Sequence, residues 1–266
     1  MDERAIRLHT EDGVAIHAAW GPRAKHADER VVVIAPGYTQ SSGTRVMRHV
    51  ADILRDYGDT FSLDFRGTGQ SGGRYTFAGA EVLDLRAAVA WAEARYQEVV
   101  VAGFSMGASI GIQTAALAGD AIDRLLLVSP PTTLGGVIRS GGPLAQGLSL
   151  LLQPESVTRR RWAGGRVTLR YGNPFHRGSA LRVAPDLRIP AVFMIGDRDR
   201  LVPPAVSARV YAAYGGPKRL VWVEGGRHAE FLAVEHEFRF RLAIESALAL
   251  GPAADRGGAP ESTRQR

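Results

Sequence analysis

Val99-Val100-Val101-Ala102-Gly103-Phe104-Ser105-Met106-Gly107 passes from a β-branched run, through a pair of glycines, into a stretch with helical character that continues to Leu117. The first four residues read as a strand buried on both faces, because such strands are continuously apolar rather than alternating. The next five fit Gly-x-Ser-x-Gly. So short a pattern is weak alone, but between a buried strand and a helix it has the context that lifts a serine hydroxyl out of a sharp turn. The glycines have physical work there. The turn forces the serine into strained angles, and a Cβ at either flank would strike the neighbouring strand or helix.

Working outward, the same alternation recurs. Ala5–Leu8 and Val14–Trp20 read as strands joined at Glu11-Asp12-Gly13, a hairpin at a sheet edge. Further strands follow at Val31–Ala35, Thr60–Asp64, Arg124–Val128, Ala191–Ile195 and Leu220–Val223. Helices are expected over Gly43–Tyr57, Ala80–Tyr96, Pro204–Ala213 and, as one piece, from Ala229 to about Leu248. Strands alternating with helices predict an α/β fold: an eight-stranded, mostly parallel sheet with helices on both faces. Its ligand site belongs at the carboxyl ends of the strands. The stretch 131–185 is too long for a plain connection and is expected to be a cap inserted between core segments 1–130 and 186–250. The tail 251–266, rich in Gly, Pro and charge, is expected to be disordered.

At 266 residues with 45% hydrophobic content, one large domain can bury its core. Cysteine is absent, which excludes disulfides, thiolate metal sites and a cysteine nucleophile. Met1-Asp2-Glu3-Arg4 does not read as a signal peptide, and no run of about 18 apolar residues offers a membrane span; a cytoplasmic protein is expected. The net charge of +6 is unevenly placed. Residues 131–185 hold eight arginines against Glu155 alone, so that segment carries all of the excess.

A serine nucleophile needs a base, and the base an orienting acid. Of seven histidines, His228 alone lies in a loop between the last strand and the last helix, on the Ser105 side of the sheet. The acid belongs in the loop after the preceding strand, where Gly196-Asp197-Arg198-Asp199 offers two candidates. Asp199 is favoured on the argument that the turn at Gly196 would occupy Asp197 in capping its own backbone. An oxyanion would need two N–H donors: that of Met106, and one from the loop after Val31–Ala35, for which Tyr38 is the candidate.

Together Pro36-Gly37-Tyr38, Asp64-Phe65-Arg66-Gly67-Thr68-Gly69-Gln70-Ser71, Gly103–Gly107, Gly196-x-x-Asp199 with Val202-Pro203, and Gly226-Arg227-His228-x-x-Phe231 resemble the α/β-hydrolase superfamily, in particular its serine-aminopeptidase-like and monoacylglycerol-lipase-like esterase branch. The resemblance spans residues 5–250. It implies an α/β-hydrolase fold with a cap, a Ser105–His228–Asp199 triad, and an oxyanion hole from the backbone of Tyr38 and Met106. The activity it implies is carboxylic ester hydrolysis through an acyl-enzyme, without metal or organic cofactor. Many relatives have His-Gly in place of Pro36-Gly37, and His in place of Thr68; neither position transfers a proton.

The arginines of 131–185 open a second expectation, an acyl-CoA or other thioester substrate held through its anionic groups. An aminopeptidase and a non-catalytic binding protein on the same fold are further alternatives. Small-molecule partners are expected and nucleic acid is not, since the basic segment lacks interleaved aromatics. Gly67-Thr68-Gly69-Gln70-Ser71-Gly72 matches Gly-x-Gly-x-x-Gly literally. Dinucleotide binding would require a helix to begin inside it, yet Gly73–Gly79 intervene before any helical pattern.

Overall fold

Alternate residues of the central strands face opposite ways, and both faces are apolar. Val31, Val33 and Ala35 enter one core layer with Val99, Val101, Leu125, Leu127 and Phe193. Val32 and Ile34 enter the other with Val100, Ala102, Phe104, Leu126, Val192 and Met194. A strand apolar on both sides demands a helical cover on both, which the computed structural model shows. It describes residues 3–23, 29–76, 78–132, 161–162, 165–166 and 179–251.

The strands are β1 (Arg4–His9), β2 (Ala15–Gly21), β3 (Arg30–Ala35), β4 (Asp59–Leu63), β5 (Glu98–Phe104), β6 (Arg124–Val128), the two-residue ribbon β7 (Arg161–Trp162) and β8 (Gly165–Arg166), then β9 (Ala191–Gly196) and β10 (Lys218–Val223). The ribbon stands apart. The other eight make one sheet in the order β1-β2-β4-β3-β5-β6-β9-β10. It is antiparallel at β1–β2 and β2–β4, and parallel from β4 to β10. β3 lies between β4 and β5, so the chain steps one way after β3 and the other way after β4. That reversal opens a crevice at the carboxyl ends of the central strands.

The helices are α1 (Arg45–Arg55), α2 (Glu81–Glu93), α3 (Met106–Ala118), the single turn α4 (Ala180–Val183), α5 (Pro204–Ala213), α6 (Ala229–Glu235) and α7 (Glu237–Ala249). The first covers one face with α6 and α7, through Met47, Val50, Leu54, Leu232, Phe240 and Ile244. On the other face α2, α3, α4 and α5 supply Leu85, Val89, Ile110, Ile112, Ala180 and Val210. Trp91 on α2 stacks over Phe61 of β4, ring centroids 4.2 Å apart. One element differs from expectation. The last helix is two, broken at His236, whose φ of −118° and ψ of 48° leave the helical region.

Most of 131–185, and 252–266, lie outside the described residues, so the expected cap and tail do too. The chain leaves the core at Thr132 and re-enters at Ser179, whose hydroxyl donates to the Thr132 carbonyl at 3.3 Å.

Candidate active site

Four loops converge at the carboxyl ends of β3, β5, β9 and β10. The first turn of the serine loop is as strained as the sequence demands. Ser105, between β5 and α3, has φ 50° and ψ −116°, a region that non-glycine residues occupy only where the surroundings hold them. Both flanking glycines are sterically required. A Cβ on Gly103 would meet the Ala108 Cα of α3, and one on Gly107 would collide with the carbonyl oxygens of Ala35 and Pro36 at the end of β3. The missing side chains let strand, helix and β3 loop close around one hydroxyl.

That hydroxyl lies 2.8 Å from Nε2 of His228, and Nδ1 of His228 lies 2.6 Å from Oδ2 of Asp199. Both distances fall within the reach needed for proton transfer and orientation. The other oxygen of Asp199 accepts the N–H groups of Leu201 and Val202, each at 2.9 Å. Each oxygen of Asp199 thus has hydrogen-bond partners of its own. His228 then carries its proton on Nδ1 and offers Nε2 as an acceptor to Ser105.

The acid and base loops are also tied to each other. Arg198 N–H donates to the Gly226 carbonyl at 2.9 Å, Gly225 N–H donates to Asp197 Oδ1 at 2.7 Å, and a Cβ on Gly196 would strike the Gly226 backbone. The reason given from sequence for preferring Asp199 needs correction here. Asp197 does not cap its own turn; it braces the neighbouring loop. Asp199 is the residue that caps its own backbone, with the oxygen that His228 leaves unused.

Of the other described histidines, His17 pairs with Asp64 at 3.1 Å, His49 lies 3.9 Å from Glu237, His9 is exposed, and His236 sits at the helix break. Tyr38 follows β3 in a turn closed by Gln40 N–H on the Gly37 carbonyl, with Thr39 at φ 64°. Met106 opens α3, so its N–H is one of the donors a helix cannot satisfy internally. Tyr75, fully buried, links the two. Its ring packs on that of Tyr38 with centroids 5.3 Å apart, and its hydroxyl donates to Met106 Sδ.

Three contributors escaped the sequence reading. Ser129, at φ 50° after β6, accepts the Ala229 N–H on its hydroxyl at 3.3 Å and so steadies the His228 loop from behind. Tyr75 is the second. The third, Glu230, is buried two residues beyond His228, and its Oε1 accepts the Gly37 N–H at 2.8 Å. It lies on the inward stripe with Ala229, Leu232 and Ala233. An acid at a position where the helix period calls for an apolar residue was the available signal.

The glycine-rich run after β4 wraps an internal carboxyl group, that of Asp64. Asp64 accepts the N–H of Ser42 at 2.7 Å and of Gln70 at 2.8 Å, Gly69 at φ 50° leaves room only for that carboxylate, and α2 starts no earlier than Glu81. Among the described residues, no helix is long and apolar enough to cross a membrane, and no group of three His, Asp or Glu is placed to hold a metal ion.

An α/β sheet with a serine on a strained strand-to-helix turn, and an acid and a histidine after the last two strands, defines a class, and the family model agrees. Residues 32–240 match that of the alpha/beta hydrolase family, and the chain belongs to it. An uncharacterized protein of Mycobacterium tuberculosis is 28% identical over 231 residues, 85% of this chain and 72% of that protein. Among solved structures, the Pyrococcus furiosus esterase Pf2001 superposes with a TM-score of 0.68 at 25% identity, covering 91% of each chain. Est1E from Butyrivibrio proteoclasticus, solved with ferulic acid bound, gives 0.69 at 23% identity over 91% of this chain and 99% of that one. The latter likeness is one of fold.

Proposed function

We propose that this chain is a serine hydrolase that cleaves carboxylic esters through an acyl-enzyme on Ser105. The observation that carries the reading is the unbroken series Ser105 Oγ, His228, Asp199, at 2.8 and 2.6 Å. Ser105 Oγ attacks the ester carbonyl while His228 Nε2 takes its proton. The N–H groups of Tyr38 and Met106 receive the oxyanion. The imidazolium, steadied by Asp199, protonates the departing alcohol, and a water activated by the same nitrogen frees the acid. The likeness to an esterase of 25% identity supports ester over amide as the bond cleaved.

The segment 131–185, expected from sequence to be a cap, bears on the choice of substrate. Its eight arginines against one acid favour a second substrate, an acyl-CoA thioester. A kcat/KM for acyl-CoA above that for p-nitrophenyl esters, falling steeply with salt, would select it. The reading as a whole is tested by a fluorophosphonate probe. The wild type is expected to label and hydrolyse p-nitrophenyl acetate, and Ser105→Ala to do neither; undiminished labelling of that variant removes Ser105 from the mechanism.

A further inference from the structure

Glu230 is 3% exposed and, among the described residues, has no arginine or lysine partner. Burial pushes its pKa upward; the ionisable groups close enough to act on it are His228 and Asp199, and it acts in turn on Tyr75. An acid in such surroundings is costly unless its polar atoms are used. One of them is: Oε1 accepts the N–H of Gly37, the residue immediately before Tyr38. The fit is close, since a Cβ on Gly37 would run into that same oxygen. The bond joins residues 193 apart in sequence, one in the loop after β3 and the other in the first turn of α6.

Building on the ester-hydrolase reading above, we propose that Glu230 is a positioning residue for the oxyanion hole. Its carboxyl fixes the Pro36–Gly37 peptide, and through it the adjoining peptide that carries the Tyr38 N–H, against the first turn of the His228 helix, so that the Tyr38 donor and the His228 base keep one geometry. Glu230 touches no reacting atom in this scheme. It acts by accepting a hydrogen bond, so the acceptor and not the charge is what matters. Displacing an oxyanion donor by a fraction of an ångström weakens the transition state far more than the bound ester.

The test compares Glu230→Ala and Glu230→Gln with wild type on p-nitrophenyl esters, and measures inhibition by a trifluoromethyl ketone, which forms a tetrahedral adduct on the serine. Glu230→Ala is expected to lower kcat by about 10²-fold with KM changed by less than about threefold, and to weaken ketone inhibition in proportion. Glu230→Gln, which keeps an acceptor oxygen, should recover most of both losses. Should Glu230→Ala fail to fold, Gly37→Ala strains the same contact from the other side and should show the same kcat loss.

Full activity in a folded Glu230→Ala overturns the inference. So does a Glu230→Gln as impaired as the alanine variant with its acid limb displaced in the pH profile, which would make the charge near His228 the operative feature. A wild type that a fluorophosphonate does not label refutes the hydrolase reading itself, a result distinguishable from either.

Discussion

The Asp199 carboxylate uses both oxygens, one on His228 and one on the amides of Leu201 and Val202, while Asp197 bonds across to Gly225. Their replacements should therefore separate. Asp199→Asn presents His228 with an amide, frees the ring to take the wrong tautomer, and is expected to lower kcat by about 10³–10⁴. Asp197→Asn keeps an acceptor oxygen and should leave kcat within about threefold, costing on the order of 1 kcal/mol of stability. Steady-state kinetics on one ester and a urea titration read both; comparable kcat losses would mean that the acid is misassigned. Sequence preferred Asp199 for a reason that the geometry overturns, because a loop fragment does not disclose whether a neighbouring loop comes within reach. Glu230 was passed over for a related cause, despite its place on the inward stripe. An acid in the first turn of a helix is ordinarily read as answering the helix dipole, and its true partner lies in a loop on the far side of Ser105.

Between elements, one arginine clips the N-terminal hairpin to the loop after β4. Arg66 donates to Asp84 through Nε at 2.9 Å and Nη2 at 2.7 Å, and to Asp12 in the β1–β2 turn through Nη1 at 2.7 Å. The Arg66 hydrogen bond brings the Asp12 pKa from 3.8 down to about 2, against the opposing pull of burial. A pKa depressed on folding means that the unfolded chain binds the proton more readily. The clip's contribution is thus complete above about pH 4 and disappears as the pH falls through about 2. Asp12 is 40% exposed, so solvent screening keeps the contribution small. Melting curves of wild type and Asp12→Asn should differ by a constant amount at neutral pH and converge near pH 2; a gap that persists there would show that the charge of Asp12 is not its source. All eight strands of the sheet were legible, the central ones as continuous apolar runs, since burial on both faces leaves a strong local mark, and the first two as a hairpin about its turn. The break at His236 was not, because the residues on either side keep helical propensity and only packing turns the chain between them.

For the molecule as a whole, local pattern could say that a parallel sheet forms but not its strand order, which depends on contacts between segments far apart. Nor does sequence show where conformational cost gathers. Of the five described non-glycine residues with positive φ, Thr39, Ser105, Ser129 and Ala229 all stand at strand ends around the candidate site. Such residues persist only where a rigid frame overrules them, and here the frame is the sheet and its two helical layers.

The hydroxyl of Ser179 resting on the Thr132 carbonyl has a consequence for everything strung between them. It holds the two ends of the intervening segment together at the core, so the length of that segment acts on stability through the entropy of chain closure, which grows with the logarithm of length and costs only about 0.6 kcal/mol per doubling. A chimera with the segment doubled should give a urea midpoint corresponding to a loss below about 1 kcal/mol; a loss several times larger would mean that the native segment contributes packing of its own.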